Sequence, residues 1–174
     1  RAAVALAAQQ KEIDPQRVYL LGHSLGGYLA PRIASGDRKI AGIILLAGSA
    51  RGLADVIVDQ LRYLATVAPE EGGVTAATVA AAEAAAKQVH SPALKPDDTI
   101  TLLGSTIPGA YFLDLRPYDP TAAAARLTIP ILVLQGGRDY QVTRTDYGLW
   151  QKALSGRKNA HFQFFPGLDH LFMT

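Results

Sequence analysis

The stretch "RVYLLGHSLGGYLA" (residues 17–30) places one serine among glycines, directly after a short run of strand-forming residues. The run before Ser24 lacks the alternation of a half-exposed strand, which is typical of a parallel strand covered on both faces. The residues after Ser24 predict a helix that ends near Gly36. Because Gly22 and Gly26 carry no side chain, we expect them to prevent clashes at a sharp, strained strand-to-helix turn. The pattern G-x-S-x-G at such a turn is typical of a nucleophile elbow, which exposes a serine hydroxyl at the carboxyl edge of a sheet.

Three more apolar runs predict buried strands, at residues 39–49, 130–137 and 161–167. Helices are predicted over residues 1–12 and over residues 142–156, between the last two strands. In the second of these helices, Thr143 and Asp146 fit a capping box and Gly156 fits a C-terminal stop. Strands that alternate with helices indicate βαβ units and a parallel sheet, so we predict an α/β fold.

The composition indicates a globular chain and argues against several classes of partner. Hydrophobic residues make up 49% and charged residues 18% of the 174 positions, the net charge is +2, and there is no cysteine. No basic stripe interleaved with aromatic residues occurs, so we expect no nucleic-acid partner. No apolar run approaches the ~20 residues of a membrane span. The chain starts inside a predicted helix and without methionine, so we expect it to be part of a longer protein, and its cellular location stays open.

Residues 51–128 interrupt the alternation of strands and helices. Apolar residues at helical spacing predict a helix over residues 53–68, and an alanine-rich helix follows at residues 74–89. The next stretch, residues 91–120, is looser and contains prolines and aromatic residues. We therefore predict an inserted helical cap over one end of the sheet, with the core formed by residues 1–50 and 129–174.

A neutral serine is a poor nucleophile and needs a base, which is normally a histidine. Of the four histidines, His90 lies in the insertion and His161 starts the last predicted strand. His23 adjoins Ser24 at a strand end, so we expect its side chain to point away and to have a structural role. His170 follows the last strand in a glycine-containing loop, and such loops at the carboxyl ends of parallel strands form α/β sites. We predict that His170 is the base.

The histidine in turn needs a carboxylate that orients it. Asp139 lies just past the third predicted strand, after two glycines, and would share a sheet edge with Ser24 and His170. Asp169 is a rival, although neighbours in sequence rarely direct a carboxylate and an imidazole at each other, and Asp146 is better explained as a helix cap. The order Ser24, Asp139, His170 is the order described for α/β-hydrolases.

On "GHSLGG", "IPILVLQGGRDYQV" and "FPGLDHLF", the chain resembles the C-terminal part of an α/β-hydrolase, similar to bacterial dienelactone-hydrolase-like esterases and acyl esterases. The resemblance implies a serine carboxylester hydrolase that acts on a small-molecule ester without a cofactor or a metal. The backbone N–H of Leu25 is the natural first oxyanion donor. The resemblance also implies earlier strands and a second donor upstream, so we expect the edge of "RVYLLGH" to pair with an upstream part of the protein or with another copy.

Two other functions stay open at this point: peptide or amide hydrolysis by the same triad, and a non-catalytic binding protein of the hydrolase fold. Proteins of the latter kind usually lose a triad member, which argues against it here. Candidate residues for a substrate pocket are His23, Tyr111, Phe112 and Tyr140, although aromatic residues most often belong to a core.

Overall fold

The computed structural model describes residues 2–67 and 73–174. The predicted helical positions Arg1 and Ala68 lie outside the described residues. In chain order the elements are α1 (Ala2–Ala7), β1 (Val18–His23), α2 (Leu25–Ser35), β2 (Ile40–Leu46), α3 (Leu53–Val67), α4 (Ala76–His90), β3 (Thr99–Leu102), β4 (Ser105–Pro108), α5 (Gly109–Leu115), α6 (Pro120–Arg126), β5 (Ile131–Gly136), α7 (Arg144–Ala153) and β6 (Ala160–Phe165).

Four of the strands form one parallel sheet in the order β1-β2-β5-β6. The two inner strands, β2 and β5, are largely apolar, and at least every second residue in them is buried, as expected where helices cover a parallel sheet. A core of Ile43, Leu45, Ile131 and Val133 from these strands packs with Trp150 of α7. This sheet confirms the predicted α/β fold.

The chain divides into two compact units, one made of the residues up to Arg51 with Asp119–Thr174, and the other made of Gly52–Tyr118. The first unit contains the parallel sheet. It also contains residues 119–128, which we had predicted to be part of the insertion. They lie there because α6 buries Ala124 in the core of the sheet unit.

The Gly52–Tyr118 unit has its own hydrophobic core, built by α3, α4, α5 and one hairpin. It is not helical throughout, since β3 and β4 form an antiparallel pair within the stretch that we had expected to be loose. The turn between them has positive φ at Leu103 (51°) and Gly104 (75°), as a two-residue hairpin turn of type I′ requires. No helix in the described part of the chain is both long and apolar enough to cross a membrane.

Candidate active site

Ser24 stands between the end of β1 and the first residue of α2. Its backbone angles are φ 54° and ψ −119°, and a positive φ is uncommon for a residue with a side chain. The Ser24 N–H donates to the Leu46 carbonyl at 3.0 Å, and the Ser24 carbonyl accepts from the Tyr28 N–H at 3.1 Å. The strained residue is thus held by the neighbouring strand on one side and by the helix on the other.

The glycines around Ser24 have different roles. A Cβ on Gly22 would collide with the backbone of Gly26, and a Cβ on Gly27 would lie 2.5 Å from the Cα of Gly48. A Cβ on Gly26 would meet no described atom within 4 Å. The tight packing of the turn therefore depends on Gly22 and Gly27, whereas we had expected it to depend on Gly22 and Gly26.

Asp139 and His170 are both buried and are joined by a hydrogen bond of 2.9 Å between Oδ2 and Nδ1. Asp139 follows β5 and His170 follows β6, and these strands are parallel neighbours. The other carboxylate oxygen, Oδ1, accepts from the N–H groups of Gln141 at 2.8 Å and Val142 at 2.9 Å. Because an ionised carboxylate only accepts, Nδ1 of His170 carries the hydrogen of this bond. In the neutral ring, Nε2 of His170 is then free to accept a proton.

The two glycines before Asp139 allow the loop after β6 to cross the end of β5. A Cβ on Gly136 would lie 2.5 Å from the carbonyl oxygens of Leu168 and Asp169, and one on Gly137 would lie 2.6 Å from that of Pro166. Close backbone contact of this kind is possible only without side chains. The crossing carries His170 toward the end of β1.

His23, at the end of β1, contacts His170. Its Nε2 lies 2.8 Å from the His170 carbonyl oxygen, and the two ring centroids are 4.7 Å apart. Since a carbonyl only accepts, Nε2 of His23 is the donor. We had expected this side chain to point away from the site. The structure differs because the crossing loop brings the His170 backbone against it.

Two other carboxylates near these loops have separate partners. Asp169 Oδ1 accepts from the N–H groups of Leu171 at 2.8 Å and Met173 at 3.0 Å. The hydrogen bond from Met173, with that from Leu171, lowers the pKa of the Asp169 carboxyl below its usual value. This carboxylate therefore braces the turn that follows it.

Asp146 is fully buried and does not form the predicted capping box. Its Oδ1 accepts from the Ala50 N–H at 3.0 Å, and its Oδ2 accepts from the Arg51 guanidinium at 2.9 Å. The capping prediction was wrong because these buried donors from the loop after β2 hold the carboxylate. The Thr143 hydroxyl oxygen alone caps the helix, through the Thr145 N–H at 3.3 Å.

The remaining pocket candidates lie in different units. Tyr140 follows Asp139 and is 37% exposed. Tyr111 and Phe112 lie on α5, in the Gly52–Tyr118 unit, where their rings meet edge to face at 5.2 Å. Phe112 belongs to the core of that unit. The Tyr111 hydroxyl oxygen is buried without a described partner, and burial raises the pKa of Tyr111.

One polar residue at the site was missed by the sequence analysis. Gln135, the next-to-last residue of β5, is buried and hydrogen-bonds Asp139. The sequence does contain an indication of this role: an amide at the end of an otherwise apolar strand needs hydrogen-bond partners when it is buried. In the described part of the chain, no three His, Cys, Asp or Glu side chains are grouped so that they could hold a metal ion.

A parallel α/β sheet that carries Ser24, Asp139 and His170 beyond its carboxyl edge defines the class of the fold. The chain belongs to the alpha/beta hydrolase family, which matches residues 1–174. Esterase EstD from Thermotoga maritima is 40% identical over 172 residues, which cover 99% of this chain and 39% of EstD. The chain therefore spans well under half the length of that curated relative.

Solved structures show the same fold at lower identity. Est1E from Butyrivibrio proteoclasticus superposes with a TM-score of 0.66 at 20% identity, over 99% of this chain and 60% of Est1E. The esterase domain of a Rhodothermus marinus protein gives a TM-score of 0.57 at 18% identity, over 100% of this chain and 58% of that one. Both likenesses confirm the α/β-hydrolase fold predicted from the three motifs.

Proposed function

We propose that this chain forms the catalytic part of a serine hydrolase that cleaves carboxylic esters. The observation that carries the proposal is the buried 2.9 Å hydrogen bond from His170 to Asp139. It lies at the sheet edge where Ser24 follows β1. The relative at 40% identity is named an esterase, which supports the same chemistry.

In the proposed first step, the Ser24 hydroxyl oxygen attacks the ester carbonyl carbon while Nε2 of His170 takes the hydroxyl proton. The bond from Asp139 to Nδ1 stabilises the imidazolium that forms. The oxyanion lies near the N–H of Leu25, which is the first residue of α2 and has no acceptor within the helix. The positive end of the helix dipole adds to this stabilisation.

The tetrahedral intermediate then expels the alcohol, which leaves with the proton from His170. Ser24 is now acylated, and a water molecule repeats the sequence. His170 takes a proton from the water, the water oxygen attacks the acyl carbon, and the carboxylic acid leaves as the proton returns to Ser24. Both halves use the same base and the same oxyanion donor.

The experiment that tests the proposal is covalent labelling of Ser24. We expect a fluorophosphonate probe to give one adduct, on the peptide that contains Ser24, and the Ser24→Ala variant to lose both the adduct and ester turnover. Ser35→Ala is the matched control, since Ser35 is exposed at the end of α2 and its hydroxyl donates to the Arg32 carbonyl. An adduct on another residue of an active preparation would refute the assignment.

Paired ester and amide substrates with the same acyl group test the reaction class. Faster turnover of the ester is expected, and faster turnover of the amide would identify a peptidase or amidase instead. His23, Tyr111, Phe112 and Tyr140 stay predictions as pocket residues.

A further inference from the structure

Gln135 is a buried polar side chain at the end of a hydrophobic strand. The strand β5 reads ILVLQG, and Gln135 is only 1% exposed. Burying an amide without hydrogen bonds is unfavourable, because the group loses its bonds to water. Its position therefore calls for specific partners, and the mechanism proposed above does not use it.

The amide nitrogen of Gln135 lies within hydrogen-bond distance of three acceptors. These are the Val142 carbonyl at 2.8 Å, the Gly136 carbonyl at 3.1 Å and Asp139 Oδ2 at 3.1 Å. Two of them are backbone carbonyls, which can only accept, so the NH₂ group and not the amide oxygen faces this cluster. The Gln135 side chain thus contacts both ends of the loop between β5 and α7, at Gly136 and Val142, and also the carboxylate of Asp139 within that loop.

The Asp139 carboxylate receives four donors in this arrangement. Backbone N–H groups of Gln141 and Val142 fix Oδ1, and His170 Nδ1 and Gln135 Nε2 share Oδ2. The backbone donors hold Oδ1 from within the loop, whereas the Gln135 amide reaches Oδ2 from the end of β5. Gln135 therefore adds a hydrogen bond on the same oxygen that His170 uses.

We propose that Gln135 is a positioning residue that holds Oδ2 of Asp139 toward Nδ1 of His170. The inference rests on the proposed function, because it gives Gln135 a role in keeping the His170 hydrogen on Nδ1 and Nε2 open to the serine proton. Gln135 acts through Asp139 only. It is therefore expected to affect kcat and not the binding of substrate.

The test compares Gln135→Met and Gln135→Glu with the same changes at Gln163. Gln163 is exposed on β6 and pairs with Leu134, the neighbour of Gln135, so each control alters the same sheet without touching Asp139. We expect Gln135→Met to lower kcat by roughly 10- to 100-fold, the scale of a small misplacement of a catalytic group. KM is expected to stay within about twofold. The Gln163→Met control is expected to keep both parameters.

The Gln135→Glu variant adds a pH signature that loss of packing alone does not produce. An introduced carboxyl surrounded by acceptors can donate only while it is protonated, and burial beside Asp139 favours that form. We therefore expect kcat of Gln135→Glu to fall as the pH rises, whereas Gln163→Glu follows the wild type. Near-UV circular dichroism at each pH reports whether the fold persists.

A readout independent of turnover keeps the two proposals distinguishable. In ¹⁵N-histidine NMR, assigned with a His170→Ala variant, we expect the wild-type His170 hydrogen on Nδ1 and a mixture of tautomers in Gln135→Met. A wild-type tautomer and wild-type kcat in Gln135→Met would overturn the role of Gln135. So would equal pH profiles for the two glutamate variants. Ester turnover of the full-length protein that persists in Ser24→Ala would refute the proposed function, and the NMR result would still decide the role of Gln135.

Discussion

Replacing Asp139 by Asn changes one oxygen of the carboxylate into a donor, and the surroundings decide which one. Oδ1 receives two backbone N–H groups, from Gln141 and Val142. An NH₂ group there would face two donors, so the amide oxygen must take the Oδ1 position. The NH₂ group then stands where Oδ2 was, opposite His170 Nδ1 and Gln135 Nε2.

The consequence is the wrong tautomer of His170. An NH₂ donor opposite Nδ1 requires that nitrogen to accept, which moves the ring hydrogen to Nε2 and removes the base for Ser24. The same substitution in a serine protease triad lowers kcat by about 10⁴. At 1.36 kcal/mol per tenfold change, that is about 5 kcal/mol of lost transition-state stabilisation. The second donor at Gln135 disfavours the Asn side chain further.

The assay is steady-state hydrolysis of p-nitrophenyl acetate by a preparation whose turnover depends on Ser24. Asp146→Asn is the matched control, because Asp146 is an equally buried carboxylate that binds Ala50 and Arg51 and not His170. We expect Asp139→Asn to lose about four orders of magnitude in kcat and Asp146→Asn to change mainly the free energy of unfolding. Near-normal turnover of Asp139→Asn together with loss in Asp146→Asn would show that the wrong acid has been assigned.

The N-cap residue of helix α6, Asp119, and the insertion provide two more tests. Hydrogen bonds to the Asp119 carboxylate, above all from the Ala122 N–H, lower the pKa of Asp119 below its ordinary value of 3.8. The ionised carboxylate therefore stabilises the fold at pH values above 3.8, and this contribution is lost as the pH falls through the lower pKa of the folded state. We expect Asp119→Ala to reduce the free energy of unfolding by about 1 kcal/mol at neutral pH, and urea titrations should show a smaller difference in strong acid; an equal difference at both pH values would contradict this. The sequence predicts that the insertion limits the size of the substrate, so we expect shortening of residues 91–118, the looser part that belongs to the Gly52–Tyr118 unit, to change the preference among p-nitrophenyl esters of different chain length without abolishing labelling of Ser24. An unchanged profile in a folded variant would contradict this prediction.

The strands of the parallel sheet were predictable because each is a short apolar run bounded by turn residues. Their predicted bounds lie within a few residues of the observed ones, whereas α1 ends at Ala7 and not at the predicted residue 12. The hairpin of β3 and β4 was missed because its strands have only four residues each, which is too short for alternation to distinguish a strand from a loop. Its turn at Leu103 and Gly104 lies among prolines that indicated a loop.

The juxtaposition of Asp139 and His170 could be predicted because the carboxyl ends of parallel strands share one edge. The contact of His23 with His170 could not, since it depends on the loop after β6 crossing two glycines, a tertiary contact that no local pattern encodes. The partners of Asp146 were hidden for the same reason. They come from a loop almost a hundred residues earlier in the chain.

The three glycines in "GHSLGG" look alike in the sequence, but they impose unequal limits on how this chain can vary. A side chain on Gly22 would collide with the backbone of Gly26, and one on Gly27 with the backbone of Gly48, so any substitution at either position requires the backbone to shift. A Cβ on Gly26 would meet no described atom within 4 Å, and alanine has a higher helix propensity than glycine. Among these three glycines, a variant library therefore has one position that can be varied and two that should be kept fixed.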